Sequence, residues 1–138
     1  MGTPDGKEKV LYPELSYRLV GILFEVYNTL GYGHKEKYYE NAVALELEKL
    51  KISYKRQMYV SLDYKGQHVG KSFLDFLIDD KIVLELKQGL VSSRKNIEQV
   101  YAYLKANGLK LGIIAQFTPQ GVKCKRVIII STSLFLYL

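Results

Sequence analysis

The sequence has a single cysteine, Cys124, in 138 residues. No intrachain disulfide and no cysteine-built zinc site can form. Its two histidines, His34 and His68, are too few for a His-rich zinc centre. Tryptophan is absent. Long apolar runs are missing too. The longest, from Val127 to Leu138, is interrupted by Ser131, Thr132 and Ser133 and is too short to span a bilayer. The first residues, MGTPDGKEKV, are polar and do not read as a signal peptide. A cytoplasmic, reducing location with no membrane attachment is expected.

What remains is an ordinary globular mix, with 48% hydrophobic and 25% charged residues, which argues against disorder. The length suits a single core. We expect a flexible arm over residues 1–11 and one domain over 12–138. Lys and Arg number 20 against 14 Asp and Glu, a net charge of +6. That excess suits a polyanion such as nucleic acid, but many proteins are as basic.

Along the chain, Pro13 opens a helix carrying Leu15, Leu19, Ile22, Leu23, Val26 and Leu30 at helical spacing. Gly31-Tyr32-Gly33 ends it. A second helix runs from about Lys35 to Leu50, with Tyr39, Val43, Leu47 and Leu50 inward. The period then becomes two: Ile52, Tyr54, Met58, Val60 and Leu62 mark a strand with one buried face. Lys65-Gly66 is a turn. Two apolar runs, Phe73 to Ile78 and Ile82 to Leu86, form a hairpin around Asp79-Asp80-Lys81. Ser92 and Ser93 can cap a helix with Ile97, Val100, Tyr101 and Leu104, ended by Gly108. Leu111 to Phe117 reads as a strand covered on both faces. After Thr118-Pro119-Gln120-Gly121, Val122 to Ile130 is a last strand. The order is α-α-β-β-β-α-β-β, with no repeat.

Two acids break the apolar pattern. Asp75 sits inside Phe73 to Ile78, and Glu85 inside Ile82 to Leu86. Burying two neighbouring carboxylates is costly unless a cation lies between them. Magnesium suits this donor set, having no need of sulfur or imidazole. If Ile78 pairs with Ile82, Asp75 lies opposite Glu85 and Phe73 opposite Lys87. An even-numbered loop would put Glu85 on the wrong side, so an odd loop is expected. Alternation gives Phe73, Asp75 and Leu77 one face, and Val83, Glu85 and Lys87 one face. Lys87 can then orient a nucleophile and stabilise charge on a phosphate, as phosphodiester hydrolysis requires. A bare Glu-x-Lys is common by chance and is ordinarily a surface ion pair; Asp75 on the preceding strand is what favours chemistry.

These residues resemble the PD-(D/E)XK nuclease superfamily and, more closely, the small GxxExxY proteins. That motif stands here as Gly33-His34-Lys35-Glu36-Lys37-Tyr38-Tyr39. Similar text surrounds Gly21 to Gly31, Leu74-Asp75-Phe76-Leu77-Ile78, Val83-Leu84-Glu85-Leu86-Lys87, Tyr103-Leu104-Lys105 and Leu111-Gly112-Ile113-Ile114. The resemblance implies an α/β restriction-endonuclease-like core, αβββαβ with a mixed sheet flanked by helices, plus an extra N-terminal helix. It implies a nuclease hydrolysing DNA with a Mg2+- or Mn2+-activated water. Asp75 and Glu85 would hold the metal with Glu36 as a third acid, and Lys87 would position the nucleophile. Gln99 and Tyr103 match a Gln-x-x-x-Tyr element and would steady Lys87 or the substrate strand. The proline usual before the motif aspartate is Leu74 here, and an arginine common two residues before it is Phe73.

Lys35, Lys37, Arg94 and Lys95 would gather near that site and hold nucleic-acid phosphates. Lys123, Lys125 and Arg126 could protect a sheet edge. Each residue also has a plainer reading. Glu36 can serve the helix dipole, and Gln99 and Tyr103 can be an exposed helix edge. Tyr39 reads as core, Glu25 as a solvated face, His34 as a loop residue, His68 as a turn residue and Cys124 as a strand residue. The 12 tyrosines include candidates for base stacking. The alternative function is a nucleic-acid-binding or protein-interaction module without turnover. A homodimer is also possible, because the apolar tail from Leu134 to Leu138 can bury itself in a partner or complete its own sheet.

Overall fold

The computed structural model describes residues 11–89, 94–131 and 134–137. The remainder of the proposed arm, and the Ser92-Ser93 cap, lie outside the described residues. Leu11, assigned above to the arm, packs against the core, and its carbonyl accepts Ser16 Oγ at 2.9 Å.

Helix α1 (Pro13–Leu30) buries Leu19, Ile22, Leu23 and Val26, the stripe set by helical spacing. Pro13 fits its first turn. Gly31 ends it at φ 76°, a conformation costly to any residue with a Cβ. Helix α2 (Glu36–Lys49) buries Tyr39, Glu40, Val43, Ala44 and Leu47. Leu50, expected inside, follows the helix and is exposed.

Strands β1 (Tyr54–Tyr64), β2 (Gln67–Ile78) and β3 (Ile82–Gln88) follow. Lys65 and Gly66 both have positive φ, as a two-residue hairpin turn demands. Helix α3 (Arg94–Ala106) then crosses to β4 (Leu111–Thr118), every residue of which is buried. Strand β5 (Gly121–Ser131) returns antiparallel, and β6 (Leu134–Tyr137) pairs with it. The tail thus completes its own sheet. Strand order is β1-β2-β3-β4-β5-β6, with β3 and β4 parallel and other neighbours antiparallel.

One apolar cluster joins α1 and α2 to Phe76, Ile78, Leu84, Leu86, Ile113 and Phe117. A second joins α3 to Leu74, Leu77, Val83, Ile114 and Val127 on the other face. Each fully buried aliphatic side chain contributes about 2 kcal/mol. Gly112 lets α3 approach β4: a Cβ there would collide with Val100. β6 pairs with β5 over Val127 to Ser131, so Lys123, Lys125 and Arg126 lie on the part of β5 outside that pairing. Leu62, expected on the buried face of β1, is exposed near the end of the β1–β2 hairpin.

Candidate active site

The hairpin of β2 and β3 carries the two anomalous acids. Its loop is odd-numbered, and Ile78 pairs with Ile82, as the acid spacing requires. The ladder then ends at Phe76↔Leu84, one pair short of Asp75 and Glu85. Side chains take over from there. The Asp75 amide donates to Glu85 Oε1 at 2.9 Å, and the Leu86 amide donates to Asp75 Oδ2 at 2.8 Å. Each carboxylate accepts a backbone amide of the opposite strand. Lys87 Nζ lies 3.2 Å from Glu85 Oε2. Glu36, in the first turn of α2, accepts the Gln88 amide at 2.9 Å and ties that helix to the end of β3.

Phe73, Asp75 and Leu77 do not share a face. Leu74 and Leu77 belong to the cluster under α3, whereas Phe76 and Ile78 belong to the one under α1 and α2. Alternation is therefore broken at Asp75. On β1 the neighbouring residue is Gln57, whose φ is 56° and which is skipped between the pairs Arg56↔Phe76 and Met58↔Leu74. Both strands change face at one level. Phe73 is left exposed, edge-on to Tyr59 with ring centroids 5.7 Å apart. It does not pair with Lys87, which lies across from Gln116 of β4.

Electrostatics follow from this packing. Burial, then the neighbouring Glu85 charge, pushes the Asp75 carboxyl up to about 7, against the Leu86 amide, which favours the charged form. Burial disfavours the Lys87 ammonium, but Glu85, Glu36 and Asp75 outweigh it and hold its pKa above the ordinary lysine value. The Glu40 charge also raises Asp75, so four acids and one lysine share one local field.

The other expected site residues divide. Gln99 donates to Ser72 Oγ of β2 at 2.7 Å, so it ties α3 to that strand and its amide is not on Lys87. Tyr103 packs against the cluster under α3, and its carbonyl accepts Asn107. Lys37 lies 3.6 Å from Glu40, and Arg94 pairs with Glu98 on its own helix at 3.2 Å. Lys35 precedes α2 and, like Lys95, is exposed. Tyr39 is fully buried, stacked on Phe117 at 4.2 Å. His34 Nε2 is 2.8 Å from the Leu30 carbonyl. His68 lies on β2, 2.9 Å from Ser61 Oγ. Glu25 is exposed and accepts Thr29 Oγ1. Burial pushes the Cys124 thiol up to about 11, which leaves it inert.

Sequence reasoning missed Glu40 and Gln116. Glu40 is 4% exposed and accepts Arg56 Nε at 2.8 Å and Gln57 Nε2 at 3.0 Å. Gln116 is buried beside Lys87 and donates to the Gly89 carbonyl at 2.8 Å. Both carried the signal that marked Asp75: a polar residue at a spacing that belongs to the core.

Asp75 and Glu85 are hard oxygen donors on facing strands, largely withdrawn from water, and burial with the neighbouring Glu85 charge makes Asp75 hold its proton nearly to neutrality. That fits a hard divalent cation completed by water or phosphate oxygens. Among the described residues no group of three or more His, Cys, Asp or Glu forms a metal cage by itself. A cleft of about 450 Å³ lined by Tyr12, Glu14, Arg18, Asp79 and Lys81 lies at the hairpin turn, at the opposite end of β3 from Lys87.

The mixed sheet, the αβββαβ order and the N-terminal helix define a restriction-endonuclease-like α/β fold. The chain matches the PD-(D/E)XK nuclease superfamily over residues 13–127 and belongs to it. No curated protein matches the chain. Among solved structures it is similar to one described as "Crystal structure of SSO0001", at 18% identity and a TM-score of 0.49, over 84% of this chain and 56% of that one. It thus spans little more than half the length of that protein. No helix among the described residues is long and apolar enough to cross a membrane.

Proposed function

We propose that the protein is a GxxExxY-type nuclease that hydrolyses phosphodiester bonds in DNA with Mg2+ or Mn2+, in the cytoplasm. The observation that carries this is the pair Asp75 and Glu85 at the open end of the hairpin, with Lys87 on Glu85. Asp75 and Glu85 would hold the ion, with Glu36 close enough to β3 to contribute through water. When bound, the ion would polarise the scissile phosphate and acidify the attacking water. Lys87, kept protonated by its acid neighbours, would orient that water and offset charge building on the phosphate. Lys35, Lys37, Arg94 and Lys95 would hold flanking phosphates by long-range attraction. Gln99 would act by fixing β2 through Ser72, and Tyr103 by seating α3.

A module that binds nucleic acid or protein without turnover is the second reading. It draws on the closed Lys87–Glu85 pair. A panel of linear, circular, single-stranded and branched DNA, with and without Mg2+ or Mn2+, decides between them. Metal-dependent cleavage is expected, reduced at least roughly 100-fold in Lys87→Ala and Asp75→Asn. No cleavage of any substrate, or undiminished cleavage by both variants, overturns the nuclease reading.

A further inference from the structure

Glu40 is a carboxylate with almost no solvent exposure, one turn along α2 from Glu36. A charge so placed is strongly disfavoured unless it is paired and hydrogen-bonded. Here it is. Arg56 contacts Oε2 through both Nε, at 2.8 Å, and Nη2, at 2.7 Å. Gln57 Nε2 donates to Oε1 at 3.0 Å and Oε2 at 3.1 Å, and Lys37 stands 3.6 Å from Oε1. Both oxygens are occupied, so Glu40 is not an open metal ligand. What the network grips is the place where β1 turns over: Arg56 is the last residue of the inner face, and Gln57 is the left-handed residue beside it. Such a backbone is costly for a non-glycine residue and persists only where its surroundings hold it. Asp75, the residue of β2 facing that kink, leaves the regular ladder at the same level.

We infer that Glu40 is a positioning residue: through Gln57 and Arg56 it holds the β1 kink that frees Asp75 from the strand ladder and aims its carboxylate at the Leu86 amide. Glu40 touches neither substrate nor metal. The geometric claim stands apart from the nuclease reading; only its consequence for cleavage rests on that reading. A buried Glu40 of purely structural value would stabilise the whole sheet evenly. A positioning Glu40 acts on the open end of one hairpin.

Amide hydrogen exchange separates the two without any need for activity. In Glu40→Ala, exchange at the Asp75 and Leu86 amides should rise roughly tenfold more than at Leu84 and Ile113, which sit in the regular sheet. Glu40→Gln, which keeps shape and can still accept from Arg56, should restore most of the protection, and it serves alone if Glu40→Ala does not fold. Then exchange at Asp75 and Leu86 in Glu40→Gln should lie measurably above wild type while Leu84 and Ile113 stay at wild type. Mn2+ affinity, read by calorimetry, should fall about 10-fold in Glu40→Ala, as loss of an outer partner does. Equal change at all four amides, or no change at any, overturns the inference. If Mn2+ does not bind wild type but the exchange pattern holds, the positioning role stands and the metal-nuclease reading falls.

Discussion

At the scale of the residue, the chemistry we propose is concentrated in groups that a stable sheet would not choose. Asp75 titrates near 7 in the folded protein, against about 3.9 in an unfolded chain. The folded state therefore holds this proton more tightly than the unfolded state does. Stability from Asp75 is fully present below about pH 4 and is lost as pH rises through about 7. The span corresponds to a loss on the order of 4 kcal/mol at most. Denaturant titrations in chelator should show wild type weakening from pH 4 to 7 relative to Asp75→Asn; parallel curves would contradict the assignment. Asp75, Glu85 and Lys87 were legible because acids in an apolar run have no ordinary explanation. Glu40 escaped because glutamate is at home in a helix, and only its place beside Tyr39 and Val43 in the buried stripe marked it.

Elements were legible where periodicity and turn chemistry agreed. The parity of the Asp79–Lys81 loop followed from the need to bring two acids together, and Lys65-Gly66 carried its own turn signal. The face change at Gln57 and Asp75 was not legible. A left-handed glutamine bears no sequence mark, since what holds it comes from Glu40 on another element. For the same reason Gln99 was expected to steady Lys87 or the substrate strand, and its bond to Ser72 on β2 was not foreseen. The seating of α3 gives a test at this scale. Gly112→Ala should lower stability by about 1–3 kcal/mol through overpacking against Val100, read as a reduced urea midpoint at unchanged slope. Because α3 carries Gln99, the same variant should also loosen β2. Gly21→Ala, on α1 with open space around it, is the control and should leave the midpoint unchanged or raised.

For the whole molecule, the sequence conveyed the core order better than the sheet margins. The αβββαβ order was legible because each element carries its own period. β6 was left open because a short apolar tail fits a partner chain as well as its own sheet. We propose that residues 12–138 form one folding unit, and that any homodimer forms through other surfaces than an unpaired tail. A scattering mass across concentrations tests the second point. The metal gives a third prediction. Mg2+ or Mn2+ at about 100 times its dissociation constant should stabilise wild type by about 2.7 kcal/mol, read as a raised melting temperature over chelator. Asp75→Asn and Glu85→Gln should abolish the rise, whereas a rise that survives both variants would place the ion elsewhere.

The early end of the β2–β3 ladder has a further consequence. In an uninterrupted hairpin the strands would zip to their ends, and the carboxylates would lie against finished backbone. Here two side chains stand in as the last stitches of the seam. Removing both at once, as in Asp75→Val with Glu85→Val, offers the amides of Asp75 and Leu86 only main-chain partners. Only the kink held by Glu40 would then keep the sheet from closing over the site, and the chain would be chemically blank. What keeps this hairpin unfinished is that kink together with the pair of groups that we propose gives it work to do.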